Sequence, residues 1–213
     1  GLWNNPYAFA AIARDTSVHA WGRAGYGGSD GPTGYGFVGK VFSNKYAFVA
    51  RKLDGTLYSW GRTGYGGNGA LSSSGWVDVF STQNAFAAKA ANGTLVTWGE
   101  ADKGGSGGPS VAVSAVASTL HAFAAISADT GELLAWGTDS QGGNQADVPT
   151  GTGFTVLAAA MNAFAALGPN GACCYAWGNA DRGGSGAPSS LGEGYTSIAS
   201  TKWAFAALHG TAG

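Results

Sequence analysis

Three observations predict an all-β chain of short three-stranded sheets set radially as the blades of a β-propeller, with five complete repeats and a partial sixth. The first is a recurring stretch. AFAAISADTGELLAWG begins at Ala122, close relatives begin at Ala8, Ala47, Ala85 and Ala163, and a shortened one begins at Ala204. The second is spacing: one Phe recurs as Phe9, Phe48, Phe86, Phe123, Phe164 and Phe205, at intervals of 37 to 41 residues. A period of that size marks one supersecondary unit in a repeat array. The third is composition. Gly makes up 38 of 213 residues and interrupts each apolar run before it reaches helical length, so amphipathic helix patterns fit poorly.

Each repeat divides into three strands. The first centres on an aliphatic residue seven positions before the Phe: Leu2, Val41, Val79, Val116, Leu157 and Ile198. The second is AFAAI or AFAAL, where alternation puts the Phe on one face and the flanking Ala residues on the other. Ala is a weak strand former, so its recurrence points to crowding, with only small side chains fitting between neighbouring sheets near an axis. The third strand runs into a Trp-Gly pair at Trp21, Trp60, Trp98, Trp136 and Trp177. Asp54-Gly55, Asn92-Gly93 and Asn170-Gly171 separate strands two and three, and such pairs supply the φ > 0 of a hairpin turn. The Phe is expected to wedge between blades and the Trp to anchor the outer part of each. A Gly-Gly pair led by Gly27, Gly66, Gly104, Gly142 and Gly183 follows each Trp by six residues and lets the connection turn tightly.

The expected domain organisation is a single repeat domain, 1–213, with units at about 1–34, 35–73, 74–110, 111–151, 152–192 and a partial 193–213. The sixth unit contains strands one and two but no Trp-Gly strand. Two readings stay open: a fragment of a longer propeller, or a last blade short by one strand. A six-bladed ring, or part of a six- to seven-bladed one, is favoured over an open curved array. The chain begins at Gly1 rather than Met, so a processed or trimmed piece is expected.

Composition narrows function. Net charge is −1 and charged residues are 11%, so no global field selects nucleic acid, and none is expected as a partner. Residues 1–106 carry nine Lys/Arg and six Asp/Glu, while residues 107–213 carry two and six. No run reaches transmembrane length and no signal peptide stands out. An extracellular or organelle-lumen setting is the preferred expectation. The two cysteines, Cys173 and Cys174, are sequence neighbours, which rarely bridge. They are expected to be apolar filler in place of strand residues such as Leu133-Leu134.

The aliphatic position, AFAA strand, Trp-Gly pair and Gly-Gly pair together resemble the regulator of chromosome condensation repeat. The short repeat is similar in size to that of the secreted propeller that inhibits β-lactamases. The resemblance covers nearly the whole chain and implies a propeller. AFAA departs from the family's usual second strand, no insertion is long enough to form its nucleotide-exchange wedge, and the inhibitor's contact loops do not match by position. Neither exchange nor inhibition is therefore carried over.

No catalytic constellation emerges, and no enzyme, cofactor or metal is expected. His19, His121 and His209 form no ligand spacing. His121 takes a repeat position held elsewhere by Tyr7, Tyr46, Asn84, Asn162 and Trp203, read as a blade edge. Asp15, Asp54 and Asp129 sit at hairpin tips. GRAGYGG lacks the Lys-Ser/Thr of a phosphate loop. The variable loops after each Trp-Gly are the best site candidates. Arg23 and Tyr26 recur as Arg62 and Tyr65, and the connectors add Tyr35, Phe37 and Trp76, expected to be partly exposed. Arg and aromatic residues are enriched at interface hot spots. The expected function is a non-catalytic protein-binding module or accessory subunit, with Arg23, Tyr26, Tyr35, Arg62, Tyr65 and Trp76 as contacts. The alternative is a lectin-like propeller, which requires exposed Trp side chains; an enzyme built on axial loops is the least favoured.

Overall fold

A computed structural model describes residues 1–68, 71–172, 174–187 and 192–210. These form six antiparallel sheets, one per sequence unit. The first is β1 (Leu2–Asn4), β2 (Ala8–Ile12) and β3 (Val18–Gly22). The second is β4 (Phe37–Ser43), β5 (Ala47–Lys52) and β6 (Leu57–Gly61), and the third is β7 (Trp76–Ser81), β8 (Ala85–Ala90) and β9 (Leu95–Gly99). The fourth is β10 (Val113–Ser118), β11 (Ala122–Ser127) and β12 (Leu133–Gly137). The fifth is β13 (Val156–Ala159), β14 (Ala163–Leu167) and β15 (Tyr175–Gly178). Among the described residues the sixth holds two strands, β16 (Tyr195–Ser200) and β17 (Phe205–His209). The chain divides into two compact units, Gly1–Ser106 with the first three sheets and Gly107–Gly213 with the last three.

The repeated letters make one packing solution. In every three-stranded sheet the Phe of the middle strand lies opposite the Trp of the third: Phe48 faces Trp60, Phe86 faces Trp98 and Phe164 faces Trp177. Their rings stack at 5.3 to 5.4 Å, within the range where offset stacking adds to burial. So Phe and Trp share one face of one blade, rather than dividing wedge and anchor roles. The opposite face is small. Ala8 and Ala10 of the first sheet, fully buried, pack in one cluster with Phe48 and Trp60 of the second. Ala47 and Val49 of the second do the same with Phe86 and Trp98 of the third. An aromatic pair on one face needs small residues, Ala or at most Val, on the facing sheet at ordinary sheet spacing. A fully buried Phe contributes about 1.5–3 kcal/mol, repeated from blade to blade.

Within each unit the loop after the Trp-Gly pair closes the same interface. It forms a single 3-10 turn, as at Ala24–Tyr26 and Thr63–Tyr65, then a Gly at positive φ. Gly66 has φ +93, and a Cβ there would stand 2.6 Å from Phe86 Cδ2. The carbonyl of the same Gly accepts the indole N–H of Trp98 at 3.2 Å. Gly27 does this for Trp60 at 3.1 Å, and Gly142 for Trp177 at 3.1 Å. The hairpin pairs behave as the sequence predicts, with φ of +86 at Gly55, +85 at Gly93 and +58 at Asn170.

Three expectations are corrected. Phe37 and Trp76 are buried, because each opens a first strand and packs among residues of the preceding and following strands. Trp21 is 46% exposed and Phe9 43%. In the second, third and fifth sheets this face packs against the sheet before it within the same unit; among the described residues of the first unit, no sheet precedes the first. Cys174 is disulfide-bonded rather than simple filler. The only other cysteine, Cys173, lies outside the described residues. Cys174 also precedes β15 and stands at the place of Leu133, three residues before the Trp.

Candidate functional site

A polar stitch places the variable side chains. Asn5, four residues before Phe9, sits in the turn between β1 and β2. Its Oδ1 accepts the backbone N–H groups of Tyr7 and Ala8 at 2.8 and 2.9 Å, and its Nδ2 donates to the Tyr26 carbonyl at 3.0 Å. Asn44 repeats this in the second sheet with Tyr46, Ala47 and Tyr65, at 2.8, 2.8 and 2.7 Å. Thr82 supplies a hydroxyl at the same position, donating to the Lys103 carbonyl at 3.0 Å. Thr119 likewise donates to the Gln141 carbonyl at 3.2 Å. One short side chain thus satisfies turn N–H groups and clamps the loop that follows the Trp-Gly pair.

In the four blades where it reaches the loop, the stitch fixes two variable positions near each other. In the first two blades these are tyrosines. Tyr7 and Tyr26 lie 4.5 Å apart, Tyr26 and Tyr46 5.7 Å, and Tyr46 and Tyr65 4.5 Å. A continuous row of four rings results. Arg23 lies over Tyr26 at 4.3 Å and near Tyr7 at 5.7 Å. Arg62 lies over Tyr65 at 4.6 Å and also reaches Tyr46 and Tyr26 at 5.5 and 5.8 Å. Lys45 stands 5.3 Å from the Tyr46 ring. These are cation–π distances. The rings are half-buried or exposed and both guanidinium groups are exposed, so the row presents aromatic edges and positive charge on the surface of the first unit.

Four of the six residues singled out from the sequence, Arg23, Tyr26, Arg62 and Tyr65, meet in this row. Tyr35 and Trp76 do not. Tyr35 is 67% exposed but stands at the opposite end of its blade. Its neighbour Gly36 donates to Thr16 Oγ1 at 2.8 Å and accepts from Leu53 N at 3.0 Å, and both partners lie at hairpin tips. Trp76 is 6% exposed, with its indole N–H on Ser73 Oγ at 3.2 Å. Two contributors were missed: Tyr7 and Tyr46 hold the position read as a blade edge. The signal was that this position and the loop after the Trp-Gly pair are both Tyr in the same two repeats.

The equivalent positions are polar in later blades, and in the third the first of them turns to Glu100, which stands at the place of Arg23 and Arg62. Asn84 donates to Glu100 Oε2 at 2.7 Å, His121 Nδ1 meets Gln141 Nε2 at 2.9 Å, and Arg182 donates to Asn162 Oδ1 at 3.2 Å. Hydrogen bonds within the hairpin tips hold two carboxylates below their ordinary range. The Ser17 hydroxyl leads at Asp15, and the Thr56 backbone N–H leads at Asp54. These are turn contacts, away from the tyrosine row. Among the described residues no group of three His, Cys, Asp or Glu side chains stands close enough to hold a metal ion, and no helix is long and apolar enough to cross a membrane.

No family model and no curated protein matches the chain. Solved structures match it in fold. The ectodomain of the Arabidopsis thaliana receptor kinase ACR4 aligns with a TM-score of 0.57 at 15% identity, over 90% of this chain and 69% of that one. The ectodomain of the Physcomitrella patens receptor kinase CR4 aligns at 0.56 and 18%, over 84% of this chain and 51% of that one, so the chain spans about half its length. Yeast RCC1 (Prp20), in a structure with Kap60, aligns at 0.55 and 15%, over 85% of this chain and 56% of that one. At these identities the likeness is one of fold, and in fold the chain is an RCC1-like β-propeller repeat protein.

Proposed function

We propose that this chain is a non-catalytic protein-binding module and that the row Tyr7, Tyr26, Tyr46 and Tyr65, with Arg23 and Arg62, contacts the partner. The observation that carries the reading is the row itself: four rings in contact, two guanidinium groups laid over them, all at the surface of one unit. Tyr offers large contact area at low entropy cost, and both Tyr and Arg are enriched among the residues that dominate interface energetics. The core packing of the blades does not use these side chains, so their recurrence in two neighbouring repeats is not required by the fold. Yeast RCC1, similar to this chain in fold, is known in a structure with Kap60 bound to it. The lectin reading loses its main support, because Trp60, Trp98, Trp136 and Trp177 are buried at 2 to 9% exposure and offer no sugar platform in each blade.

The test is native purification with crosslinking and mass spectrometry, followed by Tyr26→Ala and Tyr65→Ala. A stoichiometric partner crosslinked at Lys45, whose affinity falls at least tenfold in the double variant, supports the proposal; truncating a hot-spot aromatic costs about 2 kcal/mol or more. A partner that binds the double variant unchanged, or a chain that runs alone, overturns it.

A further inference from the structure

The tyrosine row holds positive charge that no other described residue answers. Arg23 and Arg62 both lie over the Tyr26 ring, at 4.3 and 5.8 Å, and Lys45 stands 5.3 Å from the next ring, Tyr46. None of these three side chains makes an ion pair or a hydrogen bond with a described residue. Between Tyr7 and Tyr65 the chain has three carboxylates, Asp15, Asp30 and Asp54. Each is taken up by its own turn: Ser17 Oγ donates to Asp15 at 2.6 Å, Ser29 Oγ to Asp30 at 2.8 Å and Thr56 N to Asp54 at 2.9 Å. The third blade is arranged the other way. Glu100 stands at the place of Arg23 and Arg62 and accepts from Asn84 at 2.7 Å, while Lys103 pairs with Asp102 at 3.2 Å. Charges there are answered within the blade, and in the first two blades they are not.

The chemistry of this surface selects an anion. Two guanidinium groups over one ring repel each other. Stacking occupies the face of a guanidinium and leaves its in-plane N–H groups for an acceptor, and a carboxylate matches that planar fork. Along an extended segment, residues i and i+2 share a face about 7 Å apart, so two acidic side chains at that spacing meet both groups. Positions further out on the same face reach the remaining rings, where apolar side chains pack. Nucleic acid fits less well. Its affinity comes from many phosphate contacts, against three cations here, and Arg23 and Arg62 lie over the rings on which bases would stack. The row stands on turns of the first two blades, not on an open sheet edge or an uncovered sheet face.

We propose, resting on the protein-binding reading of this row, that it recognises an acidic, extended segment of a partner polypeptide. Carboxylates at i and i+2 of that segment accept from Arg23 and Arg62, and apolar side chains on either side lie over the outer rings. Charge complementarity fixes the occupant: the row supplies donors and ring surface, and lacks only the acceptor.

The probe is the labelled peptide Leu-Ser-Glu-Ser-Glu-Ser-Leu, whose leucines and glutamates share one face over about 20 Å. It is titrated into the 213-residue chain and followed by fluorescence anisotropy. One-to-one binding is expected, about tenfold tighter than that of the same peptide with Gln for both Glu, and weaker as salt is added. Arg23→Gln with Arg62→Gln is expected to remove the preference for Glu over Gln, with the urea midpoint unchanged because both side chains are exposed. Tyr26→Ala with Tyr65→Ala is expected to weaken both peptides. Equal binding of the Glu and Gln peptides, both lost in the tyrosine variant, overturns the acidic segment and leaves the row a protein-binding surface. No binding up to millimolar acidic peptide, or binding unchanged in the arginine variant, overturns it too. A single-stranded oligonucleotide of equal charge that binds more tightly than the peptide assigns the row to nucleic acid instead. Self-association reversed by salt and by the arginine variant assigns it to a second copy, and either result overturns the proposal. The protein-binding reading fails on a different result, a partner that binds the tyrosine variant unchanged.

Discussion

Asn44→Ala tests whether the polar stitch holds the loop as its geometry implies. The side chain is 6% exposed and makes three hydrogen bonds, to Tyr46 N, Ala47 N and Tyr65 O. Each is worth about 1 kcal/mol net. Tyr46 and Tyr65 are half-buried, so water replaces part of what they lose. Ala47 is fully buried, and an N–H stranded there costs about 1–3 kcal/mol. The sum is a loss of about 2–3 kcal/mol. Asn44→Thr is the control. Thr82 holds the same repeat position and makes all three contacts, accepting from Asn84 N at 3.2 Å and Ala85 N at 3.0 Å and donating to Lys103 O at 3.0 Å, so Thr is expected within about 1 kcal/mol of wild type. Ala160 stands at this position in the fifth blade, so the Ala variant should still fold. The assay is urea unfolding followed by Trp fluorescence, with the midpoint compared at constant slope. Ala and Thr variants with the same midpoint would refute the stitch as a source of stability.

Other outcomes follow from the same interfaces. Gly66→Ala combines a left-handed backbone with a Cβ 2.6 Å from the Phe86 ring and is expected to cost about 2–5 kcal/mol by urea unfolding. Trp98→Phe keeps the stack on Phe86 but strands the Gly66 carbonyl, an expected loss of about 1–3 kcal/mol; the same substitution at the exposed Trp21 is expected to cost under about 0.5 kcal/mol. Asp54 has its folded pKa lowered below the ordinary 3.8, first by the Thr56 backbone N–H. Its contribution to stability is therefore present above the ordinary value and fades as pH falls through the lower folded value. An acid titration of Asp54→Asn should lack that part of the slope.

The packing half of the repeat was legible because each blade solves one problem with one set of letters. The aliphatic, Phe, Trp and Gly-Gly positions admit little else, so they recur and can be aligned. The stitch was harder to see because Asn and Thr perform it interchangeably, and Ala160 drops it altogether. Aligning the residue four before each Phe gives Asn5, Asn44, Thr82, Thr119, Ala160 and Thr201, and five short acceptors in six strand-to-strand turns mark such a clamp. Tyr35 was grouped with the wrong end because the connector runs the length of the blade before β4 begins. A sheet strand of five residues covers about 16 Å, enough to separate Tyr35 from Tyr26 on any contact surface. The exposure of Trp21 is positional: its letters match the other repeats, but the sheet that would cover it is not part of the repeat's own sequence.

The repeat divides its positions between those that build the core and those that vary at the surface, and the stitch makes that division possible. The clamp from Asn5, Asn44, Thr82 or Thr119 acts on backbone groups, namely turn N–H groups and the carbonyl of the last residue in the 3-10 turn. It therefore fixes where two side chains meet without restricting what they are. Tyr7 with Tyr26, Tyr46 with Tyr65 and His121 with Gln141 occupy the resulting address; in the third blade it holds Asn84 and Lys103, with Asn84 turned to Glu100, and Asn162 meets Arg182 at the equivalent positions of the fifth without the stitch. Aromatic–cationic chemistry fills it in the first two blades and polar residues stand at these positions in the third to fifth. A substitution at this address changes what the surface offers at little cost to the Phe–Trp core, because none of these side chains lies in the buried clusters. Exchanging Tyr7, Tyr26, Tyr46 and Tyr65 for the polar residues of later blades should thus leave urea stability within about 1 kcal/mol while removing partner binding. Such a chain unfolding early would show instead that the tyrosine row belongs to the fold.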